Sequence, residues 1–290
     1  MVRKVGTIDF DGRTIRLLVT KGEEILHWAS ATVSGELMNQ GLILKPEEMA
    51  EEIRGLLGSN GAPRRRFVTS LTGHRAASRV LTFPKVKSKF LHEAVRRKAK
   101  QEMPLPMDET YLSWHAIGVE NGQMRVYAFA VPKIVIDRQV ETLKAAKLKL
   151  RAMDLKPLAL ARAVEDSNCI IANLEDQSAG VVLVVNGTPE IIRSVPQMAE
   201  EAGPEERVEK LAQELSRTVQ FYDEGHRENP LDPDTKVYAT GLLLEGENIR
   251  ELLAARTPYE VVLPAPSMQF PEEFPIAAFS ANLGLAKKRI

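Results

Sequence analysis

The sequence is poor in the residues that carry covalent or metal-centred chemistry. One cysteine, Cys169, stands among 290 residues, which excludes an intramolecular disulfide and a cysteine-built metal cluster. It lies in the apolar run Cys169-Ile170-Ile171 with no catalytic motif around it, and reads as a small buried hydrophobe. The five histidines are scattered. No His-x-x-x-His pair or Gly-x-Ser-x-Gly elbow appears, so neither metal ligands nor catalytic residues are assigned. No apolar run approaches the roughly 18 residues that cross a bilayer. The opening Met-Val-Arg-Lys is not followed by a hydrophobic stretch, so no signal peptide is expected. Net charge is also absent, since 39 Lys and Arg balance 39 Asp and Glu, which argues against nucleic acid as a partner. What is present, 44% apolar and 27% charged residues, is the composition of a soluble globular protein of a reducing compartment, long enough for two domains.

The zero sum hides an uneven distribution. Residues 61–100 carry twelve lysines and arginines against one acid, Glu93, whereas 200–234 is strongly acidic. No aromatic-and-basic stacking pattern of the kind nucleic-acid binding uses accompanies the basic stretch. It reads as a solvated face or as a face turned to anionic lipid.

The chain opens on Thr7-Ile8-Asp9-Phe10-Asp11-Gly12-Arg13-Thr14-Ile15-Arg16, an apolar strand ending in acid, a tight Asp-Gly turn and a second strand to Val19. Lys21-Gly22 leads to a third strand, Ile25 to Val33. An amphipathic helix follows over Pro46–Leu57, with proline at its start and Gly58 as its stop. Strands are expected at Phe67–Leu71 and Ser78–Phe83 with Gly73 at the turn, then a helix over Lys87–Gln101. A hairpin of Tyr111–Val119 and Met124–Val131 and a helix over Ile134–Leu148 complete a strand–helix–strand–strand–helix unit. The second half restarts at Cys169–Leu174, Val181–Val185 and Glu190–Val195, again strand, polar turn, strand, X-Gly turn, strand. Ile8-Asp9-Phe10-Asp11 aligns with Ala172-Asn173-Leu174-Glu175, and Lys21-Gly22 with Asn186-Gly187. Such duplication fixes an architecture of two similar halves. A long helix over Glu205–Tyr222, a strand Lys236–Ala239 entering Thr240-Gly241, a helix from Asn248 and a last helix Ala277–Lys288 follow.

Two facing meanders, each with a turn at one end, can hold a polyphosphate between turn amides and hydroxyls, with a carboxylate ordering a divalent cation through water. At this point the chain resembles the PilM family of type IV pilus assembly proteins, actin-like relatives of the division protein FtsA. The resemblance rests on the opening Thr7–Arg16, on Glu102-Met103-Pro104 and on Met153-Asp154. It also rests on the helix Glu214-Leu215-Ser216-Arg217-Thr218-Val219-Gln220-Phe221-Tyr222 and on Leu283-Gly284-Leu285-Ala286. It implies an α/β, two-lobed actin-like fold, a duplicated ribonuclease H-like unit, with a small α+β subdomain inserted in the first lobe. The expected division is 1–78 for the first lobe, 79–153 for the insert, 154–167 for the return and 168–290 for the second lobe, its last helix packing back on the first.

The family's cofactors are ATP and Mg2+, and the resemblance places their cleft at Asp9, Gly12, Arg13, Thr14, Arg16, Asn173, Gln177, Ser178, Glu214, Arg217, Thr240 and Gly241. The departures predict that this cleft is vestigial. Asp11 stands for a glycine after Asp-Ile, Asn173-Leu174-Glu175 for Asp-x-Gly, Ala179 for a threonine and Thr240-Gly241-Leu242 for three glycines. A side chain at such points blocks close approach of backbone to phosphate, and Asp11 and Glu175 bring repulsive carboxylates unless a cation intervenes. No bound cofactor and no ATP hydrolysis are therefore expected. Bland readings stand beside these: Asp9 as a turn cap, Arg13 and Arg16 as solvated strand arginines, Glu214 with Arg217 as an intrahelical ion pair. The resemblance implies a cytoplasmic scaffold peripheral to the inner membrane, holding the cytoplasmic tail of a PilN-like membrane protein in a groove drawn from Phe67–Val80 and Met124–Val131. Other inner-membrane platform proteins of the pilus and an anionic lipid surface are further expected partners. The alternatives are an active ATPase of pilus assembly, separated by ATP binding and turnover, and an FtsA-like filament or division adaptor.

Overall fold

The computed structural model describes residues 3–58, 63–71, 76–84, 88–103, 105–120, 122–195 and 202–288. The turn expected at Gly73 lies outside them. The first sheet is built from β1 (Lys4–Asp11), β2 (Thr14–Lys21) and β3 (Glu24–Thr32). A small hairpin, β4 (Met38–Asn39) and β5 (Leu42–Ile43), leads to α1 (Pro46–Leu57) and back to β6 (Arg65–Leu71) in the same sheet. Then come β7 (Ala77–Pro84), α2 (Ser88–Glu102), β8 (Thr110–Glu120) and β9 (Gln123–Pro132). The first half closes with α3 (Lys133–Ala145), β10 (Lys149–Leu155) and α4 (Lys156–Val164). The second half holds β11 (Cys169–Leu174), β12 (Ala179–Val185), β13 (Thr188–Ser194), α5 (Pro204–Gly225) and β14 (Lys236–Thr240). It ends with α6 (Glu247–Ala254), β15 (Val261–Val262) and α7 (Ile276–Ala286).

The two large sheets have the same plan. One is ordered β10-β6-β1-β2-β3 and the other β15-β14-β11-β12-β13. In each, an antiparallel meander is extended by strands parallel to its first member. The duplication read from turn spacing is thus a duplication of topology. Each sheet buries one face under its own helices: Ile8, Phe10 and Phe67 pack with α1 and α3 residues, Ile170, Ala172 and Val237 with α5 and α6. The third sheet, β7-β9-β8, encloses a separate core with α2 through Leu81, Val95 and Val126.

The insert is shorter than the 79–153 expected from sequence. Leu143, Ala146 and Leu148 join the first-lobe core, and β10 is the edge of the first-lobe sheet. The chain leaves the insert at Pro132: Val135 at the start of α3 still packs on Tyr127 and Val131 of the small sheet, while Leu143 near its end joins the first-lobe core with α1. Between the lobes, α4 and α7 cross at Gly284, where a Cβ would lie 1.7 Å from the Ala159 carbonyl oxygen. Asn282 on α7 donates through Nδ2 to the Arg16 carbonyl oxygen (3.0 Å) and to Thr7 (3.2 Å to its hydroxyl), fixing this helix on β1 and β2. Among the described residues no helix is long and apolar enough to cross a membrane.

Candidate functional site

Side chains alternate along β1, so Ile8 and Phe10 enter the lobe core while Thr7, Asp9 and Asp11 take the opposite face, toward the second lobe. Asp9 and Arg16 are cross-strand partners in the β1–β2 ladder, which sets Arg16 NH1 3.2 Å from Asp9 Oδ2. The guanidinium continues across the cleft and grips Glu175 with two prongs, at 3.1 Å and 2.5 Å. Lys156, the first residue of α4, enters from a third direction. Its Nζ donates to Asp11 Oδ2 (2.7 Å), Glu175 Oε1 (2.8 Å) and Asp9 Oδ2 (3.2 Å). Hydroxyls complete the shell: Ser70 donates to Asp9 Oδ1 at 2.5 Å and Ser178 to Asp11 Oδ1 at 2.7 Å. The Leu242 amide in the third turn donates to Glu175 Oε2 at 3.1 Å. All five charged residues are at most 4% exposed.

Three carboxylates face two cations in this cluster. Burial alone would raise Glu175, but Arg16 and then Lys156 outweigh it and hold its pKa down to about 2. Burial works against the charge on Lys156 as well, yet Asp11, Asp9 and Glu175 raise its pKa. Burial likewise opposes the charge on Arg16, and Glu175 and then Asp9 overcome it. Asp11 bears the surplus negative charge. Burial, opposed by Lys156 but reinforced by Glu175 and Asp9, raises its pKa.

These shifts predict a pH dependence. With its folded pKa below the ordinary 4.5, Glu175 contributes stability that is fully present above 4.5 and lost as pH falls toward about 2. Asp11 has the opposite sign, contributing below its ordinary 3.8 and losing that contribution as pH rises through its folded value. Glu175→Gln is therefore expected to flatten the acid limb of the stability curve over that window. Urea midpoints at stepped pH check it, and an acid limb as steep as in the parent protein would show that Glu175 does not carry it.

The three turns touch one another. Gly12 has φ +56°, and a Cβ there would meet Gln177 Cβ of the second lobe at 2.9 Å. Gly241 has φ +95°, and its Cβ would lie 2.4 Å from the Leu174 carbonyl oxygen. Only a cavity of about 60 Å³ opens beside Asp11, Lys156 and Ser178, roughly the share of two liquid waters. As they stand, these residues do not fit a magnesium triphosphate. Lys156 Nζ stands among the carboxylates that would order a metal, and all three are already ion-paired with it.

The structure brings together Asp9, Gly12, Arg16, Gln177, Ser178 and Gly241 of the expected cleft. Thr14 and Thr240 are buried beside it, and Thr240 Oγ1 lies 3.2 Å from Asn173 Oδ1. The side chain of Arg13 does not join the five-charge cluster, although its Nε is buried without a hydrogen-bond partner. Glu214 and Arg217 pair with each other on α5 at 3.5 Å, and Glu214 also faces Arg193 at 3.8 Å, away from the cluster. Asp9 and Arg16 are neither a simple turn cap nor solvated. Sequence reasoning missed Lys156 and the hydroxyl of Ser70. One signal for Lys156 was available: a lysine opening a helix, followed by proline, stands where the helix dipole disfavours a cation, so an acidic environment has to hold it there.

A second feature is a groove of about 790 Å³ between the insert, α4 and the second-lobe hairpin. Trp114, His115, Tyr127 and Phe129 form one wall, Leu158, Ala161 and Arg162 the other, and Gly187 to Pro189 one end. Asp154 at its floor accepts from Arg162 and from Lys288. Burial and then Lys288 lower the pKa of His115. Tyr127 and Phe129 belong to the stretch expected to form a groove. None of the described residues of the Phe67–Val80 stretch lines this one, and its Ser78, Arg79 and Val80 line a neighbouring cavity of about 600 Å³ against β13 and α5.

Twin five-stranded sheets, a small inserted sheet and a cleft ringed by three turns define a two-lobed actin-like protein. Over residues 8–197 the chain matches the family described as type IV pilus assembly protein PilM, and it belongs to that family. Its fold is similar to that in the solved PilM-PilN type IV pilus biogenesis complex, at 22% identity over 97% of each chain, with a TM-score of 0.79. It is also similar to the cytoplasmic domain of EpsL, an inner membrane component of the type II secretion system of Vibrio cholerae, at 14% identity, covering 99% of this chain and 97% of that one, TM-score 0.60. A protein of Bacteroides thetaiotaomicron with an actin-like ATPase fold and unknown function matches at 9% identity, 98% and 96% coverage, TM-score 0.52. No curated protein sequence matches the chain.

Proposed function

We propose that this chain is a cytoplasmic scaffold of a type IV pilus or related secretion machine that works without nucleotide and sits at the inner membrane by holding the cytoplasmic tail of a PilN-like protein. The observation that carries this reading is Lys156. Its ammonium ties Asp9 and Asp11 of the first lobe to Glu175 of the second, so the lobes are joined by residues of the chain itself where a nucleotide would otherwise join them. A protein closed in this way offers a preformed surface and no hydrolytic cycle. The groove of about 790 Å³ under Trp114 and Phe129 has an apolar wall for anchoring side chains and polar groups such as Asp154 and Arg162, the combination that peptide recognition uses. Family membership and the likeness to the PilM-PilN complex supply the partner's identity.

Calorimetry with Mg-ATP is expected to show no binding tighter than about 1 mM. The synthetic tail of the PilN-like protein should bind, and Trp114→Ala should weaken it about tenfold, as for an interface aromatic anchor. Micromolar ATP affinity with turnover would overturn the nucleotide-free reading. Tail binding unchanged by groove substitutions would overturn the groove assignment.

A further inference from the structure

At the start of the first-lobe strands, the opposite end of the sheet from the charge cluster, a cavity of about 310 Å³ is lined by Arg3, Val5, Arg66, Val68, Arg151 and Lys288. Four of its six lining residues are cationic and none is acidic. The floor is apolar: Val68 is buried with Ala159 and Leu285, and Val5 packs against them. Of the cations, Lys288 has its Nζ 3.1 Å from Asp154, and Arg151 also holds an interaction of its own.

Two of the arginines reach the cavity through irregularities of the strands that bear them. Along β6 and β10 the register runs Arg65↔Lys149, then Phe67↔Leu150, then Val68↔Ala152. It therefore passes over one residue on each strand, Arg66 on β6 and Arg151 on β10. A bulge of this kind bends the strand and re-aims the side chain of the extra residue. Arg66 also has φ +71°, a left-handed backbone costly for a residue with a Cβ, which glycine would adopt freely. Folding stability alone favours glycine there and a regular ladder between these strands. The chain instead carries two consecutive bulges whose extra residues are both arginine and both line one cavity.

From this geometry we infer a binding site for a phosphate-bearing anion. Guanidinium groups recognise phosphoryl oxygens in a forked geometry. Here they approach from three adjacent strand starts, and the valine floor accepts an apolar or neutral substituent on the phosphate. Such a group belongs either to a free phosphate compound or to the headgroup of an anionic phospholipid. The site shares Lys288 with the peptide groove and does not rest on the reading of the cleft.

Inorganic pyrophosphate, titrated calorimetrically at low salt, is the probe for the free form. Sedimentation with vesicles of phosphatidylglycerol, against vesicles of phosphatidylcholine alone, is the probe for the lipid form. Arg151→Ala and Arg66→Gly are each expected to weaken binding at least tenfold. Arg66→Gly should do so while leaving the melting temperature unchanged or higher, because it relieves the left-handed strain. Arg96→Ala, on the exposed face of α2, should change nothing. Pyrophosphate binding lost in the two variants, with vesicle binding absent or indifferent to them, assigns a free phosphate compound. Vesicle binding that falls in the same variants and is displaced by pyrophosphate assigns the headgroup. If neither probe binds, or the cavity variants bind as the parent does, the inference is overturned.

Discussion

Replacing Lys156 with alanine is expected to destabilise the protein by about 3–5 kcal/mol, the range seen when one partner of a buried ion pair is removed. In a chain of this size that lowers the melting temperature by about 5–8 °C. The size of the loss does not measure the worth of the lysine bonds. Lys156 offsets the cost of keeping Asp9, Asp11 and Glu175 out of water, and in its absence three buried carboxylates face one guanidinium. They then have to take up protons or draw in water. Two further results follow from that physics. The deficit should narrow as pH falls from neutrality toward about 5, because carboxylates stripped of a cation are buried with raised pKa values and protonate readily. Adding Asp11→Asn to Lys156→Ala should restore part of the stability, a non-additivity expected of groups in direct contact. Thermal unfolding of the single and double variants at two pH values tests all three. A loss below about 1 kcal/mol would mean that the cluster is open to solvent, since exposed pairs contribute no more than that.

The parts of this fold legible in the sequence are those whose burial has a period. β1 to β3 and β11 to β13 announce themselves by apolar runs broken at Asp11-Gly12, Lys21-Gly22 and Asn186-Gly187. In the structure Gly12, Gly22, Asn186 and Gly187 all have positive φ. The stripe Val208, Leu211, Leu215, Val219 and Tyr222 of α5 is buried as a helical period requires. In contrast α4 leaves no such trace. It is nine residues long, buried on most of its circumference and begins after Leu155 without a side-chain cap, so no periodicity marks it, and Pro157 in its first turn is its one start signal. That helix brings Lys156 into the cleft, and missing the helix meant missing the residue. The sequence did show that Asp11 and Glu175 are incompatible with phosphate unless a cation intervenes. The intervening cations are Arg16, read as a phosphate ligand or a solvated strand residue, and Lys156, 145 positions from Asp11. Pairings at such separation are set by the packing of the lobes and have no local pattern. The boundary of the insert failed for the same reason, because the apolar stripe of α3 fits either core and only the topology chooses α1.

Gly284→Ala should be the most damaging single-methyl change in the chain, costing about 3 kcal/mol, the upper part of the usual range for an overpacked core. The added Cβ would sit 1.7 Å from the carbonyl oxygen of Ala159 and 2.5 Å from its carbonyl carbon. Both obstacles are helix backbone, so no rotamer change relieves the contact and α4 and α7 have to part. Neither helix is free to move. α7 is anchored on the first-lobe sheet by Asn282 and reaches the third turn through its Ala277 carbonyl, which accepts from the Gly241 amide at 2.8 Å. α4 begins with Lys156, whose three ion pairs span the cleft. Separating the helices displaces either the turn that donates to Glu175 or the lysine itself, so a packing defect becomes an electrostatic one. The substitution should lower the melting temperature by about 5 °C and make the protein more sensitive to acid, as the grip on Glu175 loosens and its pKa returns toward 4.5. Gly55→Ala is the control: on α1, where a Cβ meets nothing within 4 Å, the same methyl should stabilise by up to about 1 kcal/mol through helix propensity. If Gly284→Ala were as well tolerated as Gly55→Ala, the close crossing of α4 and α7, and with it the route by which Lys156 is held in the cleft, would be wrong.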